Sequence, residues 1–215
     1  MFIRQSLKKY LHKLASDSPT PGGGSASAVV AAMGTGLLLM VARIVRKRLT
    51  QKQTKSIDRT IRLLTKILKD TEEVVDLDVR VYRTLMESYR AMKKVKNEEI
   101  ARRRPASPAE RGERGPLEAA RKKVEVALAN SFRLQADLAL LILMAKETLP
   151  SLLRVVKGSI ANDLLVARAF LDGAFEGALA TSRINLAYME SVKKKHFTDG
   201  LDRLEEKYRG IKISR

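Results

Sequence analysis

Cysteine is absent from the 215 residues, which excludes disulfides, thiolate zinc sites and cysteine nucleophiles together and fits a reducing cytoplasm. Tryptophan is absent as well, and histidine occurs only at His12 and His196. A histidine-built metal centre is therefore excluded, a Ser-His-Asp triad is disfavoured, and no metal ligand set is expected. The five Tyr and five Phe lie scattered, with no aromatic platform interleaved among basic residues, which argues against single-strand recognition by base stacking. Acids are also scarce. Against 42 Lys+Arg stand 24 Asp+Glu, a formal net charge of +18. Such a surface attracts polyanions, or is simply a solvated exterior.

What is present is helical periodicity, and strand signals are almost missing. A chain of this length buries roughly 70% of its unfolded surface and needs no covalent staple. Nothing in its composition divides it, so residues 1–215 are read as one domain. Phe2, Ile3, Leu7, Tyr10, Leu11 and Leu14 mark an amphipathic helix over 2–14. Arg4, Lys8 and Lys9 interrupt any apolar run there, so it is not a secretory signal. Pro19 and Pro21 then hold the chain extended, Gly22, Gly23 and Gly24 follow, and Ser25 is placed as the N-cap of an uncharged helix running to Ala42. The strongly apolar part is only Val29 to Ala42, which suits a buried core helix better than a membrane span. Ala28, Ala32 and Gly36 recur every four residues and predict a face for close helix approach.

A long helical pattern covers about Lys55 to Arg104, with Ile57, Ile61, Leu64, Leu68, Val75, Val79, Tyr82, Met86 and Tyr89 at helical spacings. Arg102 to Pro116 reads as an exposed basic loop. Helix resumes from Leu117 to about Leu149, where Pro150 stops or kinks it and a short turn follows. A last main helix is expected from near Ser159 to about Lys195, with Gly173, Ala174, Gly177, Ala178 and Ala180 as a second small-residue stretch. A short charged helix forms the tail. The fold class is thus all-α, an up-and-down bundle of long helices around a central small-residue helix.

Four constellations could carry chemistry. Glycines at 22–24 let backbone approach a ligand, and the free N–H groups of the next helix attract an anion or carbonyl; the plainer reading is a tight turn. No Gly-Lys-Ser/Thr follows, so it is not a nucleotide-type phosphate loop. Glu72, Glu73, Asp76 and Asp78 cluster in an acid-poor chain, or are surface acids paired with Lys69 and Arg80. Asn162 and Asp163 open the last main helix, where capping is the simpler role. Arg183 and Asn185 stand beside a nearly bare Gly/Ala face and need partners, either a ligand or another subunit.

Together these pieces resemble the cyclodeaminase domain of formiminotransferase-cyclodeaminase and its stand-alone relatives, including methenyltetrahydrofolate cyclohydrolases. The stretch Ser18-Pro-Thr-Pro-Gly-Gly-Gly-Ser-Ala-Ser-Ala28 is similar to the family's Pro-Gly-Gly-Gly-Ser signature. Asp76-Leu-Asp78 before Tyr82 resembles its paired aspartates before an aromatic. Asn162-Asp163, Glu176-Gly-Ala178 and Ile184-Asn-Leu186 resemble its later blocks. Asn162 stands where the family usually has serine, and Thr181 where an asparagine is expected.

The resemblance implies an all-helical homodimer binding a reduced folate, possibly polyglutamylated, with no metal or organic cofactor. It implies hydrolysis of methenyltetrahydrofolate or deamination of formiminotetrahydrofolate, the former slightly favoured by the stand-alone chain. Catalytic roles fall to Asp163, Asp76 and Asp78, and ligand binding to Pro21, Gly22, Gly23, Gly24, Ser25, Asn162, Arg183 and Asn185. A cytoplasmic protein without a membrane partner is expected. A non-catalytic folate binder or scaffold is the alternative. A basic nucleic-acid-binding protein, resting on net charge and the Arg102 to Arg114 loop, is disfavoured.

Overall fold

The computed structural model describes residues 1–101, 115–189 and 191–213, and among these it contains helices and no strand. In chain order they are α1 (Leu7–Leu14), α2 (Gly23–Arg46), α3 (Gln51–Ala101), α4 (Pro116–Glu147), α5 (Leu149–Val155), α6 (Ala161–Ala187) and α7 (Ser191–Arg209). The extensive contacts join α2 to α3, α3 to α4, α4 to α6 and α6 back to α2, a closed ring of four long helices. Contacts run in opposite directions along neighbours: on α2 and α3 Ser25 meets Asp78 and Arg46 meets Asp58, and on α2 and α6 Gly23 lies opposite Thr181 and Gly34 against Ala167. The bundle is therefore up-and-down. Its centre is filled by Leu38, Leu64, Leu138, Ile142, Leu171 and Phe175, all fully buried. Of the expected basic loop, Arg102 to Pro116, residues 102–114 lie outside the described residues, and Pro116 already opens α4 behind its N-cap Gly115.

By length and composition α2 could cross a membrane, yet here it is a wall of the bundle. It crosses α6 antiparallel through small residues: Gly23 lies opposite Thr181, Ser27 opposite Gly177, and Gly34 against Ala167 and Leu171. A Cβ on Gly34 would sit 3.1 Å from the Ala167 carbonyl oxygen. This is not the Ala28/Ala32/Gly36 stripe expected from spacing. Ala28 is buried, but a Cβ on Gly36 would meet nothing within 4 Å. A four-residue step rotates about 40° around a helix, so that stripe drifts off the contact, whereas the seven-residue step from Ser27 to Gly34 stays on it.

Three boundaries also differ. α1 begins only at Leu7, because the Ser6 hydroxyl accepts from the Lys9 N–H and caps it there. Residues 149–155 form a helix, with Pro150 in its first turn where a missing N–H does no harm. The last main helix stops at Ala187 and does not reach Lys195. Phe197, Leu201, Leu204 and Tyr208 form an apolar stripe that finds the core only if the chain turns back, and α7 does so.

One buried charge ties α7 down. Lys146 is 6% exposed, and its ammonium donates to Asp172 Oδ1 at 2.8 Å and lies 3.7 Å from the Tyr208 ring centre. The Tyr208 hydroxyl donates to the same carboxylate oxygen at 2.7 Å, and its ring stacks on Phe175. Asp172→Ala strands that ammonium and should cost about 2–3 kcal/mol, less than a fully buried pair because Asp172 is part-exposed. Tyr208→Phe should cost only about 1 kcal/mol. Urea denaturation of both variants checks the order.

Candidate active site

Site construction starts at the first turn of α2. Gly22 is its N-cap in extended conformation, and no side chain of its own segment caps it. Ser25 does not take that role. It is the third helical residue and is fully buried, its hydroxyl donating to the Val75 carbonyl at 3.0 Å and accepting from the Tyr10 hydroxyl at 3.1 Å. The cap comes instead from α3: Asp78 Oδ2 accepts the Ser25 N–H at 3.0 Å. Its other oxygen accepts from Gln135 Nε2 of α4 at 2.8 Å. A carboxylate at a helix N-terminus gains from the free N–H groups and the helix dipole.

This arrangement requires glycine at position 24. A Cβ there would stand 2.2 Å from Gln135 Nε2 and 2.3 Å from Asp78 Oδ1. Gln135 is fully buried and its Oε1 has no hydrogen-bond partner among the described residues. Burial pushes the Asp78 carboxyl above its ordinary value, while the Ser25 N–H and the Gln135 amide pull it down. A carboxyl that titrates higher folded than unfolded loses stability for the fold as pH rises from the unfolded value through the raised one.

In front of Asp78 opens a cavity of about 650 Å³. The glycine turn and α2 supply Pro19, Thr20 and Gly22–Gly24. From α3 come Asp78, Tyr82, Met86 and Tyr89, from α4 Leu128 and Ser131, and from α6 Thr181, Ile184 and Asn185, with Tyr188 just past its end. The walls are aromatic and apolar, the floor polar. Asn185 Nδ2 donates to the Thr181 carbonyl at 2.9 Å, and the Thr181 hydroxyl to the Gly177 carbonyl at 2.9 Å. Ile184 and Tyr188 are 59% and 69% exposed at the mouth, and burial raises the Tyr89 hydroxyl beside Tyr188. The dimensions suit a flat heterocycle held between rings, with its polar edge on a carboxylate.

Of the residues singled out from sequence, Gly22, Gly23, Gly24, Asp78 and Asn185 line this cavity. Pro21 and Ser25 are buried beside it. Asp76 faces the other way, accepting the N–H groups of Phe2 and Ile3. Arg183 is exposed and paired with Glu205 of α7. Asp163 and Asn162 stand in the first turn of α6, and Thr181 lies about 27 Å further along that axis. Tyr82, Met86 and Tyr89 follow Asp78 at helical spacing, so a stripe that reads as core is the cavity wall. Gln135 carried a signal that spacing alone leaves unread: one amide inside the buried series Leu128, Phe132, Leu138 and Ile142.

The sequence model of the family described as formiminotransferase-cyclodeaminase matches residues 6–127, more than half of the chain. No curated protein matches. Among solved structures, the formiminotetrahydrofolate cyclodeaminase of Thermotoga maritima superposes with a TM-score of 0.67 at 22% identity, over 96% of this chain and 91% of that one. At that identity the likeness is one of fold.

Gly24→Ala should destabilise the chain by about 1–3 kcal/mol by overpacking and push Asp78 off the α2 terminus. Gly200→Ala, facing open space within α7, should stabilise by about 0.5–1 kcal/mol. Thermal melts of the pair test the contact, and equal effects would contradict it.

Proposed function

The chain belongs to the formiminotransferase-cyclodeaminase family, and from that premise we propose that its cavity binds a reduced folate and acts on the one-carbon bridge between the two folate nitrogens. The observation that carries this reading is a single half-buried carboxyl, Asp78, held by two donors at the floor of an aromatic-walled cavity. The pterin ring would lie against Tyr82 and Tyr188 with its N–H edge toward Asp78 and Asn185. Exposed Arg90, Lys93 and Lys94 continue α3 past Tyr89 and would meet the carboxylates of a glutamate tail.

Hydrolysis of methenyltetrahydrofolate then runs as follows. Asp78 takes a proton from water as the oxygen bonds to the cationic bridge carbon, giving a neutral tetrahedral carbon. The carboxyl returns that proton to the departing ring nitrogen as the carbon–nitrogen bond breaks. The hydroxyl proton is released to solvent, and the formyl group stays on the other nitrogen. Deamination of formiminotetrahydrofolate uses the same proton path: the attacking nitrogen gives its proton to Asp78, which passes it to the departing ammonia. A carboxyl whose affinity for a proton is raised by burial suits both directions. We place the proton transfer on Asp78 rather than on Asp76 or Asp163, neither of which lines the cavity.

We propose that hydrolysis is the direction used, with ammonia release as the alternative reaction. One observation favours a binder without turnover. Thr181, at a position where the family carries asparagine, lines the cavity but spends its hydroxyl on its own helix. A homodimer would form on the outer side of α2 and α6, where Met33, Met40, Val166 and Phe170 are exposed around open Gly36.

Adding the protein to methenyltetrahydrofolate should speed the fall of its absorbance over buffer, and Asp78→Asn should slow it by about 10²-fold or more. Ammonia release and rising methenyl absorbance from the formimino form would mark the alternative; tight binding without either would leave a binder only. The rate should fall on the acid side at a pH above the ordinary carboxylate value. Gln135→Leu should move that fall higher still, because it removes a donor that favours the carboxylate. An acid limb unmoved by Gln135→Leu would contradict the role of Asp78.

A further inference from the structure

Half of the net charge sits in one eighth of the chain. Residues 43–69 hold ten Lys and Arg against the single acid Asp58, at the corner where α2 ends and α3 begins. Asp58 is taken by Arg46 at 2.9 Å. Lys55, Arg59, Arg62, Lys66 and Lys69 are all exposed, and their alternating four- and three-residue steps keep them within an arc of about 80° over about 21 Å of helix. The core side of the same segment is Ile57, Leu64 and Ile67. Arg43, Lys47 and Arg48 extend the exposed positive surface around the corner.

A solvated helix face does not need this pattern. Like charges three and four residues apart repel by about 0.2–0.5 kcal/mol per pair, and an acid at any of these positions would turn repulsion into attraction. Elsewhere the surface does so: Lys94 pairs with Glu98, Arg168 with Asp172, Lys207 with Glu147 and Arg209 with Glu176. Among the described residues Lys55, Arg59, Arg62 and Lys66 have no ion-pair partner, and Lys69 reaches Glu73 only at 3.9 Å. No residue of the row lines the cavity, and along α3 it runs from about 14 Å (Lys69) to about 35 Å (Lys55) from Asp78, away from Tyr89 and the cations beyond it. A ligand filling the cavity does not account for it.

The shape and neighbours of the row select among polyanions. A helix that beds into a bilayer presents Trp, Phe or Leu beside its cations. Here no large apolar residue between Met40 and Ile100 is exposed. Of the exposed neutral residues between these cations, Thr65 gives its hydroxyl to the Ile61 carbonyl at 2.7 Å, and Ser56 is left as the one hydroxyl that would donate to a phosphate oxygen. A straight row meets a linear polyanion along its length, and the absence of aromatic side chains beside it leaves backbone contact without base stacking. We propose that this face of α3, with the end of α2, binds a nucleic-acid duplex through its phosphates and without sequence preference. The inference is independent of the folate reading.

Its test is fluorescence anisotropy of a labelled DNA duplex of arbitrary sequence, titrated with the full chain over a range of salt. Binding is expected at about 50 mM salt, weakening with a log–log slope of roughly −0.9 per phosphate contacted. Replacing Lys55→Gln, Arg59→Gln, Arg62→Gln and Lys66→Gln together should reduce the magnitude of that slope by about four, with an unchanged melting temperature. The matched set Arg90→Gln, Lys93→Gln, Lys94→Gln and Lys96→Gln should leave it nearly as in the parent. No duplex binding at low salt would overturn the proposal. So would equal loss in the matched set, which would reduce the effect to net charge, or preferential binding to phosphatidylserine vesicles.

Discussion

The candidate site depends on one exchange of hydrogen bonds: a carboxylate from α3 takes the place of the side-chain cap that α2 lacks. Asp78 receives the Ser25 N–H with one oxygen and the Gln135 amide with the other, so three helices meet at one group. The contact is possible only because position 24 carries no side chain. Gly22 and Gly23 continue the same turn along the cavity rim. What reads in sequence as a tight turn before a helix is thus a geometry set by an acid more than fifty residues away.

That arrangement works against stability at neutral pH. Asp78 is partly withdrawn from water, and its carboxyl is held above the ordinary value despite two donors. Gln135 leaves an acceptor buried without a partner. The molecule offsets this elsewhere, in the close α2–α6 crossing and in the Lys146–Asp172–Tyr208 cluster that fastens α7 over α4 and α6. A carboxyl held above its ordinary value beside an unmet buried amide oxygen is the arrangement that the proposed role of Asp78 calls for.

Much of the fold was legible in the residues. Helical periodicity marks every long element, and the uncharged run after the glycines can only be a helix that others surround. Boundaries were less so. The break after Ala187 has no proline or glycine to announce it, and follows instead from where Leu201 and Tyr208 find core to bury. In the site, the glycines, Asp78 and Asn185 were readable because small and polar residues stand out in an apolar, basic chain. Tyr82, Met86 and Tyr89 were not, since spacing cannot tell a core face from a cavity wall. The resemblance gave Asp76 and Asp78 the same role, but two residues on a helix differ by about 200° in direction, and that rotation sends one to the cavity and the other to the N-terminal segment.

The most direct measurement is a crystal structure of the chain with a stable reduced folate. The account predicts the pterin ring in the cavity between Tyr82 and Tyr188, its N–H edge within hydrogen-bond distance of Asp78. A folate bound at any other surface, or a ring in the cavity with Asp78 left facing only Ser25 and Gln135, would contradict it.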